Sequence, residues 1–319
     1  MIKVGIIGAD SPDAGELLRI LIHHPEVVIK CLYAPKLSGR LLSSCHHGFI
    51  GEESLNFSDK LNPSEYDIVF IADDSDTGRS LMRRSDEWPN LRIVDMSPHR
   101  FDFWESNGME YGLSEMNRKC LVRGARLAMV PSSVAALALN ALYPLASNLL
   151  ISSDIKIRVE ASKAISRKID KENVAKEISA MLAKTQTSFN SKIEIDVIPD
   201  DLVRSMRVRI SLKCPLDITE IDRVYNSIYD DHSFTFTGIS EVGFREVEGT
   251  QKCVVTFCKA SQSQLELASI GDSHMRGGAG DAVHIMNLFF SLDEKIGLNM
   301  KPSCYGNENE SNQQTSWFA

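Results

Sequence analysis

The chain predicts a doubly wound parallel α/β sheet followed by a mixed α+β domain, on three observations. Short, near-continuous apolar runs recur in the first 130 residues, at 2–8, 27–33, 66–72, 91–95 and 127–130. Strands covered by helices on both faces read this way, and segments of helical character lie between them. A glycine-bearing loop, residues 8–15, joins the first run to Leu17, Leu18, Ile20 and Leu21 at helical spacing. That makes a βαβ unit whose first turn sits at a helix N-terminus, where a dinucleotide pyrophosphate binds in a Rossmann-type fold. After residue 150 the pattern changes. Residues 154–161 alternate apolar and charged, like a strand with one wet face.

The later segments follow from the same periods. Residues 192–197, 204–213, 252–259 and 264–270 read as strands, and 170–184 and 218–229 as helices. Gly277-Gly278-Ala279-Gly280 opens a helix over 281–292 that is expected to return to the first domain. The reading is therefore a Rossmann-type doubly wound parallel sheet, residues 1–150 with 277–319, for a dinucleotide. A mixed α+β substrate and oligomerisation domain takes 151–276. The polar tail after Lys301 is expected to fray.

Composition bounds the partners. With 319 residues the chain can bury two cores. Net charge is −8 with both signs scattered, which argues against nucleic acid or an anionic membrane. No apolar run approaches the roughly 20 residues of a membrane span. The start goes directly into a strand without a basic-then-apolar leader. The seven cysteines are dispersed, with no CxxC pair, so a reducing cytoplasm is the expected compartment.

The centre of the reading is residues 126–145, RLAMVPSSVAALALNALYPL: a short strand, a Pro131-Ser132-Ser133 turn, and an apolar helix that Pro144 is expected to end. The first side chain of such a helix lies at the positive end of the backbone dipole, where a cysteine would become a thiolate. Here that residue is Ser133. An alcohol needs a positioned base to act as a nucleophile, and capping a helix is the commoner work of Ser132 or Ser133.

Several motifs together resemble N-acetyl-γ-glutamyl-phosphate reductase, the arginine-pathway member of the aspartate-semialdehyde dehydrogenase-like reductases. VGIIGA, GELLR and HHPEV match the family's opening. VDMS stands where the family has IDLS, and YGLSE where it has YGLPE. EGT and RGGAGDAVHIMN (276–287) match its C-terminal part, RGAAGQAVQNMN. The resemblance implies an acyl phosphate reduced to a semialdehyde with NADPH. A cysteine attacks, a histidine relays protons, and hydride reduces the thioester. It also implies a homo-oligomer joined through the second domain.

The sites that the resemblance transfers survive unequally. NPGCYAT is here Val130-Pro131-Ser132-Ser133-Val134-Ala135-Ala136, so Ser133 falls on the cysteine. HxHxPEI is best matched by residues 172–178, ENVAKEI. Both histidines are lost, and Glu172 is the acid nearest them. The substrate loop SGVSGAG has become ASKAISR with Ser162, and the PHL motif Pro199-Asp200-Asp201. Paired aspartates disfavour a dianionic substrate. Arg204, Arg207 and Arg209 could offset that charge, although alternation puts Arg207 and Arg209 on one strand face, where solvent is the plainer destination.

GATGYTGGE has become Gly8-Ala9-Asp10-Ser11-Pro12-Asp13-Ala14-Gly15-Glu16. Two readings stand for this loop. Asp10 and Asp13 bring negative charge to a negative ligand and Pro12 removes a donor, or Asp10 or Asp13 caps the helix. No acidic residue ends the second strand, and Lys36 and Arg40 follow it, which favours NADP if a dinucleotide binds and otherwise leaves two solvated charges. Gly280 and Asp281 complete the cofactor set. Cys45-His46-His47 falls short of the three or four ligands of a metal site. Residues 73–76, DDSD, replace the family's LPHG and either bind a cation or cap the next helix.

Three functions follow. One is a divergent NADPH-dependent reductase with Ser133 at the nucleophile position. Another keeps the fold without the catalysis, and binds a small-molecule ligand or pairs with an active homologue. A third delivers hydride directly, with Glu172 as acid. Four separate losses favour the second.

Overall fold

The computed structural model describes residues 1–51, 54–201, 204–238, 242–259, 261 and 263–302. The tail expected to fray lies outside them beyond Pro302. In chain order the strands are β1 Ile2–Ile7, β2 Val27–Tyr33, β3 Phe57–Ser58, β4 Ile68–Ile71, β5 Arg92–Asp95, β6 Glu110–Tyr111, β7 Leu127–Met129, β8 Ile155–Ser162, β9 Ile193–Asp200, β10 Ser205–Lys213, β11 Thr235–Gly238, β12 Cys253–Lys259 and β13 Gln264–Asp272. The α-helices are α1 Pro12–Leu21, α2 Asp76–Arg83, α3 Arg100–Phe103, α4 Ser114–Val122, α5 Ser133–Ser147, α6 Lys163–Ser166, α7 Lys171–Thr185, α8 Ile218–Tyr229 and α9 Ala279–Phe289.

Two compact units result. The first comprises Met1–Pro131 and Gly278–Asn299. Its seven-stranded sheet, order β3-β2-β1-β4-β5-β7-β6, is parallel throughout. β1 and β4 lie side by side at its middle because both are almost wholly apolar and buried on both faces. α9 returns to this sheet, packing on α1, α4 and β5. The Arg100 guanidinium gathers strand-end carbonyls, donating to Ser97 O and Pro131 O at 2.7 Å each and also to Val130 O. It thereby fixes the exit of β7.

The second unit is built on Ser132–Gly277, so its boundary falls before α5 rather than at residue 150. Its six-stranded sheet, order β11-β12-β13-β10-β8-β9, is antiparallel at its centre and parallel at both edges. α5 packs on β10, β12 and β13 and against α7 and α8.

Pro144 does not end α5; it sits inside the helix, which runs on to Ser147. A proline there deprives the Asn140 carbonyl of its i+4 donor. The Tyr229 hydroxyl supplies one instead, at 2.6 Å, and the Tyr225 hydroxyl donates to the neighbouring Ala141 carbonyl. Two tyrosines on α8 thus offset what the sequence alone treats as a stop.

Candidate functional site

In the first unit the β1–α1 turn is built on Gly8, which holds φ +73°, a left-handed conformation suited to glycine. A Cβ at Gly8 would lie 2.5 Å from Cβ of Asp73, so the end of β4 presses on this turn. α1 starts earlier than its apolar periodicity shows. Ser11 is the N-cap, its Oγ accepting from Ala14 N at 3.1 Å, and Pro12 occupies the first turn. Neither Asp10 nor Asp13 is the cap. Ala9 is fully buried, and its carbonyl accepts from His46 Nε2 at 2.7 Å. The His46 ring also lies against Gly15, where a Cβ would come within 2.7 Å of Nδ1. The Cys45 thiol donates to Asp10 O. The Cys45-His46 pair therefore packs over the turn. Among the described residues no group of three or more His, Cys, Asp or Glu is placed to hold a metal.

Lys36 lies exposed on the short helical turn Pro35–Leu37 after β2, and Arg40 is exposed beyond it. Ser75, not an aspartate, caps α2, accepting from Gly78 N. Asp73 Oδ1 in turn accepts from the Ser75 N–H and, at 2.7 Å, from its hydroxyl. Asp95 at the end of β5 is buried and accepts from Ser97 N at 2.9 Å. Burial pushes its carboxyl up from the ordinary range, and the hydrogen bonds from Ser97 only partly oppose this. Gly280 and Asp281 lie in the first turn of α9, both buried; the helix begins at Ala279 with Gly278 as its N-cap.

In the second unit the α5 turn is closed by its own chain. Ser132 is the N-cap, its Oγ accepting from Ala135 N. Glu177 of α7 grips the same residue. Its carboxylate accepts from Ser132 N at 3.0 Å and from Ser132 Oγ at 2.6 Å. Ser133, first in the helix, donates from Oγ to the Ser273 carbonyl at 2.7 Å. Gly277, at φ +69°, packs on the turn so tightly that a Cβ there would meet Ser133 N and Cα at 2.4 Å.

The acid that reaches this turn is Glu177, only 3 % exposed, and not Glu172, which is exposed in the first turn of α7 beside its Asp170 cap. A signal for this was present. Val174, Ile178 and Met181 mark the inward stripe of α7, and Glu177 falls on it at i+3 from Val174.

The remaining candidates do other work. Ser162 is the N-cap of α6, accepting from Ile165 N at 3.2 Å. Arg207 and Arg209 are largely turned away from solvent, with side chains 13 % and 9 % exposed. They share Glu160 across the β10–β8 pair, at 3.2 Å and 2.9 Å, and the Arg207 guanidinium lies 4.2 Å from the Phe244 ring centre. Arg204 pairs with the fully buried Asp272 at 2.7 Å. That carboxylate also accepts from the N–H groups of Gly249 and His274, so it organises the turn that carries Ser273. Cys120 is exposed on α4, and Cys214 is buried after β10.

The fold is that of solved aspartate semialdehyde dehydrogenases. The Candida albicans enzyme, solved with NADP, superposes with a TM-score of 0.69 at 12 % identity, covering 93 % of this chain and 99 % of that one. The Vibrio cholerae enzyme II complexed with ASA gives 0.66 at 13 % identity, covering 91 % and 98 %. Residues 3–123 match the family "Semialdehyde dehydrogenase, NAD binding domain". Over nearly its whole length the chain is similar to curated N-acetyl-γ-glutamyl-phosphate reductases. Identity is 31 % to that of Phocaeicola vulgatus and 29 % to that of Parabacteroides distasonis, each alignment covering 96 % of this chain and 100 % of the relative. The chain belongs to the N-acetyl-γ-glutamyl-phosphate reductase family.

Proposed function

We propose that this chain is a divergent family member that keeps a nucleotide-binding unit but does not run the cysteine-dependent reduction of an acyl phosphate. The observation that carries the proposal is the partner of the Ser133 hydroxyl. Its proton is directed at the Ser273 carbonyl. A carbonyl accepts a hydrogen bond but does not take the proton away, so the alcohol stays un-ionised at neutral pH. The carboxylate that lies near is Glu177, and it is spent on Ser132. Ser133 is thus a structural residue, and Glu172 is too far along an exposed helix end to be its acid or base.

NADP fits the first unit in part. Gly8 gives the tight turn and α1 the helix dipole, with Lys36 on the neighbouring loop for a 2′-phosphate. When bound, the cofactor would supply a hydride. Ala9, Asp10, Ser11, Pro12 and Asp13 would frame its pyrophosphate. Pro12 contributes no N–H and Ala14 N is taken by Ser11, so the backbone donors come from residues that themselves carry carboxylates. Binding is weaker than in a glycine-rich loop, by about 1–2 kcal/mol for one lost charge-assisted hydrogen bond. Gly280 and Asp281 belong to the same unit. Ser162 and Arg207, expected on the substrate side, are held by a helix cap and an ion pair. A small-molecule ligand, a homo-oligomer or a pairing with an active homologue, and a cytoplasmic location complete the proposal.

Titration with NADPH, followed by nicotinamide fluorescence, tests the first half; the expected result is saturable binding. The second half is tested by phosphate-dependent oxidation of N-acetylglutamate semialdehyde. No turnover is expected, and none is restored by Ser133→Cys. Turnover by the native chain that Ser133→Ala abolishes would overturn the proposal.

A further inference from the structure

A cavity of about 150 Å³ opens in the first unit between α2 and the ends of β4 and β5. Its walls combine both charges. Asp73, Asp74 and Asp95 line it from the strand ends, and Arg79 and Arg83 from α2. Ile71 and Met82 supply an apolar floor, and Ser97, Ser106 and Asn107 add polar atoms. Its volume is well below the roughly 300–1,000 Å³ of pockets for drug-sized ligands, so the occupant is a small molecule.

The charges select its chemistry. Asp73 Oδ1 is held by Ser75, and Asp74 lies 3.4 Å from His99 Nε2. Arg79 lies 3.6 Å from Asp76, and Arg83 donates from Nε to Arg79 O, which lays its side chain along the helix. An inorganic anion would meet three carboxylates, and a simple cation two guanidiniums. A molecule carrying one charge of each sign on a short apolar body satisfies all of these walls.

We propose that this cavity binds a small zwitterionic amino acid, its ammonium toward Asp73 and Asp74, its carboxylate toward Arg79 and Arg83, and its side chain on Ile71 and Met82. The site stands whether or not the chain is a reductase, since none of these residues belongs to the Ser133 turn.

Isothermal titration of the full chain tests it with L-norvaline and its two one-charge analogues, n-butylamine and pentanoate. Norvaline is expected to bind, with each analogue at least about tenfold weaker. Asp74→Asn and Arg83→Gln, each first checked for a native circular dichroism spectrum, are each expected to weaken norvaline binding by about tenfold or more. Three results would overturn the site: no binding of norvaline at about 50 mM, an analogue that binds as tightly as norvaline, or folded variants that bind as the native chain does.

Discussion

The starts of α1 and α5 are made of the same local parts and serve different ends. Each follows a buried strand, each has a serine N-cap, and each places a proline beside that cap, Pro12 after Ser11 and Pro131 before Ser132. The β1–α1 turn is pressed from one side by Asp73 and overlain by His46, and it still carries the exposed aspartates Asp10 and Asp13. The α5 turn is filled from within its own unit by Glu177, Ser273 and Gly277. A helix N-terminus is thus not a site in itself. What the tertiary fold has already put there decides whether it can take a ligand.

Substitution at the two turn glycines should separate them most. Gly277→Ala drives a Cβ into the backbone of Ser133, which cannot swing aside, at a positive φ as well. The expected loss is about 4 kcal/mol, read as an earlier urea midpoint. At Gly8 the nearest atoms are Cβ and Cγ of Asp73, at 2.5 Å, and that Cβ moves only with its backbone, so Gly8→Ala should cost about 3 kcal/mol and should also weaken NADPH binding. Equal losses at both would erase the contrast.

Acid should distinguish the units next. In the first unit, hydrogen bonding to His284, with Arg118 adding to it, holds the Glu294 carboxyl down to about 2. A depressed carboxyl contributes stability that is present above its unfolded value near 4.5 and is lost as pH falls toward 2. The contribution is about 3 kcal/mol at neutral pH. Glu294→Gln should remove it and flatten the acid limb of the unfolding curve between those pH values.

The α5 turn itself should answer in stability rather than in chemistry. Glu177→Ala orphans Ser132 N and should cost about 2 kcal/mol, while Glu177→Gln, which still accepts one bond, should cost about 1. A Glu177→Ala chain as stable as the native one would mean that the turn is not closed by that carboxylate. Ser133→Ala is the smallest change. It removes one hydrogen bond, about 1 kcal/mol, and leaves NADPH binding unaltered in the same fluorescence titration.

Much of the architecture was legible because its period is local. β2 and α8 have the very limits that a near-continuous apolar run assigns to 27–33 and the 3.6-residue period to 218–229. β3 and β6 escaped notice because two residues carry no period. The candidate site was legible only in part. The serine at the head of α5 and the glycines of the C-terminal motif stand out in the chain, whereas the carboxylate that hydrogen-bonds the α5 turn, Glu177, lies five residues beyond the Glu172 that the motif position picks out. Choosing Glu172 followed a motif position; choosing Glu177 required asking which side of α7 faces inward.

By itself the sequence determined two sheets, a serine at the head of the α5 helix, and membership of a reductase family, since these depend on residue type and near-neighbour spacing. The tertiary structure decided what each polar group is bonded to. Asn140 and Tyr229 lie 89 residues apart, Ser133 and Ser273 140 apart, and Ser132 and Glu177 45 apart. Hydrogen bonds act over about 3 Å whatever the separation along the chain, so only folding reveals that Pro144 continues a helix and that the Ser133 proton ends on a carbonyl.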